Sequence, residues 1–175
     1  MKKILFILFA PAICLLYACN EKQSNAGAMS DTARKNLDAF HLVDNAFQSG
    51  DISRIDSVVA SDFVDHTPKG DMGRDSLKAM ITRMKNSGTM KSEIKKEFAD
   101  DEYVMGWMHW TGTSDGSMED MPAGPYDMSG IEVVRFKDGK AVEHWAFMDA
   151  KEMMKMMSAG QQMPTTSPTA TDKVQ

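Results

Sequence analysis

The spacing of the apolar residues changes once along this chain, at Gly88, and that change limits the fold more than any other feature. Before it, Leu37, Phe40, Val43, Ala46 and Phe47 recur every three or four residues, the period that gathers side chains on one face of a helix. After it, residues 94–99, 103–113, 131–136 and 141–148 are rich in β-branched and aromatic side chains. Asp100-Asp101, a segment rich in Gly, Ser and Pro, and Asp138-Gly139 separate these runs, which is the composition and punctuation of strands. Helices followed by consecutive strands predict an α+β domain, a curved antiparallel sheet folded over helices, and not the alternating units of a parallel sheet.

Local signals refine this order. Ser30 or Asp31 is available to cap the first helix and Gly50 to stop it. A shorter second helix, capped by Asp51, carries Ile52, Ile55, Val58 and Val59 on one face. It runs into Asp62-Phe63-Val64-Asp65-His66-Thr67-Pro68, where the proline and Gly70 predict an irregular turn. A third helix is expected from Gly73 to about Lys85, so that three helices precede the first strand. Asp138-Gly139, between two strand-like runs, is the strongest hairpin signal. The domain is expected over 30–157, with a last short helix over 150–157. Residues 158–175, mostly Thr, Ser, Pro and Gln, are expected as a disordered tail.

The N-terminus is an address. Lys2-Lys3, an apolar run over 4–17 and Ala18-Cys19 make a secretory signal, too short to cross a bilayer as a stable helix. Leu16-Tyr17-Ala18-Cys19 resembles a lipobox, after which bacterial signal peptidase II cuts to leave a lipid-modified cysteine. The resemblance implies a signal peptide over 1–18, lipidation of Cys19 and a flexible tether over 19–29. The domain is then held to a membrane of the bacterial cell envelope, facing periplasm or exterior. Cleavage would remove Cys14 and two lysines, taking the formal net charge from −5 to −7. No dense run of Lys or Arg supplies the counterion release that drives nucleic-acid binding. Neither a dinucleotide nor a phosphate-loop glycine motif occurs, and no cofactor is expected.

The run Gly50-Asp51, Asp62 to Pro68, Gly73-Arg74, Trp110-Thr111-Gly112-Thr113, Pro122-Ala123-Gly124 and Arg135 to Trp145 resembles the SnoaL-like polyketide cyclase or ester cyclase group. That group belongs to the nuclear transport factor two-like superfamily, and the likeness extends over about residues 31–157. It implies a conical half-barrel, a strongly curved antiparallel sheet wrapped over about three N-terminal helices, with a pocket for a small apolar molecule inside the cone. A homodimer through the outer sheet face is also implied. In these cyclases an aspartate follows the Trp of the last motif and acts as acid/base; that position is Ala146 here. A partnering His on the preceding strand corresponds to Glu132.

Strand parity puts His144, Ala146 and Met148 on one face of the last strand, and Glu143, Trp145 and Phe147 on the other. The expected pocket lining is His144, Ala146, Met148, Trp107 and His109. His109 has the parity of Met105, Trp107 and Thr111, opposite Met108 and Trp110, and its role is open between pocket and structure. His66, expected in a turn at the mouth, is open between an acid/base, a ligand-orienting donor and a turn residue bonded to Asp65. Metal binding by His66, His109, His144 and Glu132 requires all four to converge; His41 has Asn45 at i+4 and makes no zinc pair. Seventeen methionines, among them Met80, Met84, Met105 and Met148, fill an adaptable core or pocket. The leading expectation is ligand binding without turnover, because a methyl group at Ala146 cannot carry a proton. The alternatives are an isomerase or cyclase using Glu132 and His66, and a Met/His metal-binding lipoprotein.

Overall fold

The computed structural model describes residues 29–118, 121–149, 151–152 and 154. Helix α1 (Asp31–Ser49) starts where Ser30 Oγ accepts the Ala33 N–H at 2.9 Å and stops at Gly50, whose N–H bonds the Ala46 carbonyl. Leu37, Phe40, Val43 and Phe47 form its apolar face, as their spacing predicts. Helix α2 (Ile55–Val58) is a single turn and α3 (Arg74–Ser87) follows Gly73.

Between α2 and α3 the chain departs from expectation. Residues 59–67 form strand β1 (Val59–Thr67), turned back at Pro68-Lys69 into β2 (Gly70–Met72). Val59, Phe63 and Asp65 are its buried residues. A buried carboxylate inside that alternation is why it reads as a polar turn. The remaining strands are β3 (Gly88–Ala99), β4 (Tyr103–Ser114), β5 (Gly124–Lys137) and β6 (Lys140–Met148). β3 and β5 start six and seven residues earlier than their apolar runs. Pro125 fits inside β5 because that end has β4 as its only strand neighbour, so its missing N–H costs no second ladder. The Asp138-Gly139 turn joins β5 to β6 with φ of 53° and 75°, the left-handed pair that a two-residue hairpin needs.

The six strands lie in the order β2-β1-β6-β5-β4-β3. Every neighbouring pair is antiparallel except β1 and β6, which run parallel. The sheet is open and curved, with register shifts in β1, β3 and β5 of the kind that bend strands. Its concave face holds α1. A methyl group on Gly106 of β4 would lie 2.8 Å from Phe40 Cζ, so the absent side chain is what lets the Phe40 ring rest on the strand. Phe40, Ile55, Phe63, Leu77, Ile81, Val104, Met108, Trp110 and Phe136 are at most 6% exposed. At roughly 1.5–3 kcal/mol per such side chain, their burial is the main force clamping the helices into the cone. Of the expected last helix, Lys151, Glu152 and Met154 are described, and they are helical. The signal segment, Cys19, the tether up to residue 28 and the tail lie outside the described residues.

Candidate active site

Three strands bring one polar cluster onto the concave face. Parallel pairing sets Asp65 of β1 beside His144 of β6, and Nδ1–H of His144 donates to Asp65 Oδ1 at 2.8 Å. Asp65 is 4% exposed, so this bond is made largely out of water and is stronger for it. With Nδ1 committed, Nε2 is the nitrogen left for a ligand. On β5, Glu132 stands opposite Ala146 of β6 and one diagonal step from His144. Its carboxyl makes no hydrogen bond or ion pair with any described residue, and Ala146 across the ladder is exposed. Asp44 of α1 is near enough for its charge to reach Glu132, and Phe40, Met108, Trp110 and Met128 supply apolar surface.

The electrostatics follow from this enclosure. Desolvation pushes the Glu132 carboxyl up to about 7; the nearby His144 pulls it down, and the Asp44 and Asp65 charges push it further up. Burial opposes the charged form of His144, but the Asp65 bond and the Glu132 and Asp65 charges outweigh it and raise its pKa above the usual imidazole value. Glu132 therefore changes protonation near neutrality beside an imidazole that holds its proton more tightly than usual, and the two titrate as a pair, the condition that favours acid/base work.

The structure assembles part of the expected lining. His144, Ala146 and Met148 share the parity that faces the interior, with Glu132 across from Ala146. His66 does not join them. It lies in β1 rather than a turn, faces outward, stacks on Trp145 with ring centroids 4.9 Å apart, and meets Asp71 at 3.0 Å and Glu143 at 3.6 Å. Adjacent strand residues point to opposite faces, so committing Asp65 to the interior sends His66 outside. The Glu132–His66 pairing is therefore replaced by Glu132–His144. Trp107 and His109 are likewise on the outer face: Trp107 is 55% exposed, and His109 bonds Asp127 at 2.9 Å with Glu93 at 3.9 Å. Met105 is also outside, at 42% exposure. His66, His109, His144 and Glu132 thus split across the sheet and share no point.

Sequence reasoning missed Asp65 and Asp44 as site residues. The signals were present. Asp65 has the parity of the core residue Phe63, and Asp44 stands four residues after Phe40 and seven after Leu37 on the apolar face of α1. A shallow depression of about 480 Å3 over α3, lined by Ile52, Lys78, Thr82, Arg83 and Ser117 among others, has no comparable acid/base pair.

The family model for SnoaL-like polyketide cyclases matches residues 37–157, and the chain belongs to that family. Among solved structures it is similar to TsrD from Streptomyces laurentii, at 18% identity and a TM-score of 0.61, over 75% of this chain and 99% of that one. It is also similar to an LEH-like epoxide hydrolase of M. tuberculosis, at 17% identity and a TM-score of 0.59, over 73% and 92%. A third likeness is to IdmH from Streptomyces antibioticus, a candidate polyketide cyclase, at 20% identity and a TM-score of 0.57, over 70% and 98%. At these identities the structures establish the cone fold alone. No curated protein matches the sequence.

Proposed function

We propose that this protein is an acid/base enzyme that moves a proton within a small, largely apolar carbonyl compound held in the cone. Glu132 takes the proton from carbon, the Nε2–H of His144 supports or protonates the developing oxyanion, and Asp65 holds the imidazole in place. The observation that carries the reading is the unpaired, desolvated Glu132 carboxyl, diagonal to an Asp65-bound His144 and opposite the exposed Ala146. Ala146 removes one carboxyl from β6, and Glu132 restores one directly across the ladder. Ionisation of Glu132 makes the base, so the rate should rise as pH passes about 7 and fall again where His144 loses its proton.

The test is solvent deuterium exchange into a panel of polyketide-like and steroid-like carbonyl compounds, read by mass spectrometry. Wild type should catalyse exchange, and Glu132→Gln should slow it by about 10²–10⁴-fold. No exchange in the wild type would favour binding without turnover, the reading that Ala146 alone suggests.

We also propose that Cys19 carries a lipid that tethers the domain to the cell envelope, and that the chain dimerises through its outer sheet face. The Leu16-Tyr17-Ala18-Cys19 pattern supports the first. Cys19→Ala should release the protein from the membrane fraction; unchanged partitioning would reject the anchor.

A further inference from the structure

The active cone holds more negative charge than proton transfer needs. Asp65 is matched by His144, and Glu132 is the working carboxyl. Asp44 remains. It stands on α1 beside Ser92 of β3, close enough for its charge to be felt at Glu132. Gln48 Nε2 donates to its Oδ2 at 3.0 Å, while Oδ1 has no well-formed hydrogen bond among the described residues. His41, the nearby imidazole, is already bound to Glu97 at 2.7 Å. Ser92 of β3 lies against the Asp44 carboxyl as a second donor, its hydroxyl sealed from solvent and with no other acceptor among the described residues. Burial raises the Asp44 pKa over the opposing effects of Ser92, Gln48 and His41.

A partly desolvated carboxyl held only by the neutral donors Gln48 and Ser92, near a second carboxyl and without a cation of its own, is costly to keep. It has a use if a ligand brings a further donor to the lone pairs that two donors leave unused. The geometry points to Asp44 as the residue that reads the substrate: it accepts a hydrogen bond from a hydroxyl or amine on the side of the molecule away from the carbon that Glu132 deprotonates. The same charge turns away carboxylates and phosphates. Ser92 and Gln48 position Asp44 rather than touch the ligand. The substrate class is then an apolar, uncharged or cationic compound with a hydrogen-bond donor across from its reacting carbonyl. This assignment of the reacting end rests on the acid/base reading above; the donor preference itself does not.

The test uses three probes of one shape, 2-naphthol, 2-methoxynaphthalene and 2-naphthoate, titrated by calorimetry against the full chain at mildly alkaline pH. Wild type should bind the naphthol on the order of tenfold more tightly than the ether, the value of one charge-assisted hydrogen bond, and the naphthoate most weakly. In Asp44→Asn, which preserves shape, naphthol and ether should converge and naphthoate should gain. Asp44→Ala should do the same, and circular dichroism of both variants checks the fold. Equal affinity of naphthol and ether in the wild type, including no measurable binding of either, overturns the proposal, as does an unchanged order in both variants. Glu132→Gln separates the two readings, because it should slow exchange by about 10²–10⁴-fold while keeping the naphthol preference. Loss of exchange in Glu132→Gln beside an unaltered order in the Asp44 variants would sink the inference and leave the enzyme standing.

Discussion

A single residue, Ala146, steers the sequence reading away from catalysis, and another, Glu132, carries the acid/base proposal. The Glu132 position was legible because the resemblance aligned it with a pocket histidine. Its partner was not, since His66 and His144 are equally plausible from spacing, and only the pairing of β1 with β6 decides between them. The raised Glu132 pKa also makes a stability claim. The folded state binds this proton more tightly than the unfolded chain does. Folding is therefore unaffected below the model-peptide value of 4.5, and stability falls as pH rises from there through about 7, by up to about 3 kcal/mol. The raised His144 value acts in the same direction, its stabilisation being present at low pH and lost as pH passes its folded pKa. Glu132→Gln should match wild type in urea unfolding at about pH 5 and exceed it at about pH 8. An equal difference at both pH values would show that Glu132 is not desolvated.

At the scale of elements, α1, α3, β4 and β6 were legible because each keeps one period and its caps or turns are conventional. β1 was not. Its Asp65 is satisfied by His144, 79 positions away in sequence, and no local pattern carries that partner. The β5 start was hidden by Pro125 and Gly124, which are tolerated where the strand lacks a second strand neighbour. The seat of α1 gives a direct check. Any side chain at Gly106 meets both the Phe40 ring at 2.8 Å and Met108 Sδ at 2.9 Å, and the ring is stiff. Gly106→Ala should lower stability by about 1–3 kcal/mol through overpacking, despite the usual gain of replacing glycine within a strand. A neutral or stabilising result in thermal unfolding would mean that α1 is not held against β4 as described.

For the whole molecule, the outer face of the sheet is the feature that a lone chain leaves unexplained. Phe98, Met105, Trp107, Ile131 and Phe147 are 62%, 42%, 55%, 41% and 58% exposed. Register makes them neighbours, since Phe98 pairs with Met105, Trp107 with Ile131 and Ile131 with Phe147. A continuous apolar stripe across β3, β4, β5 and β6 is larger than the scattered apolar side chains of ordinary monomer surfaces. Several charged residues on this face are paired, Arg135 with Glu143, His109 with Asp127 and Lys95 with Glu93, while the Lys96 ammonium lies 5.8 Å from the centre of the Phe98 ring. This pairing lowers the like charge that two such faces would bring together, even though the chain is net acidic. A two-fold contact is self-complementary, and it would leave the mouth beside Ala146 open, because Ala146 lies on the other face of β6. The expected outcome is a dimer of the wild type at micromolar concentration in sedimentation analysis. Ile131→Lys, which places a new charge at the centre of the stripe beside Trp107 and Phe147, should convert it to monomer. Glu132 sits one residue further along on the opposite face, so deuterium exchange should persist in that variant. A monomeric wild type, or a dimer indifferent to Ile131→Lys, would rule out this face as the contact.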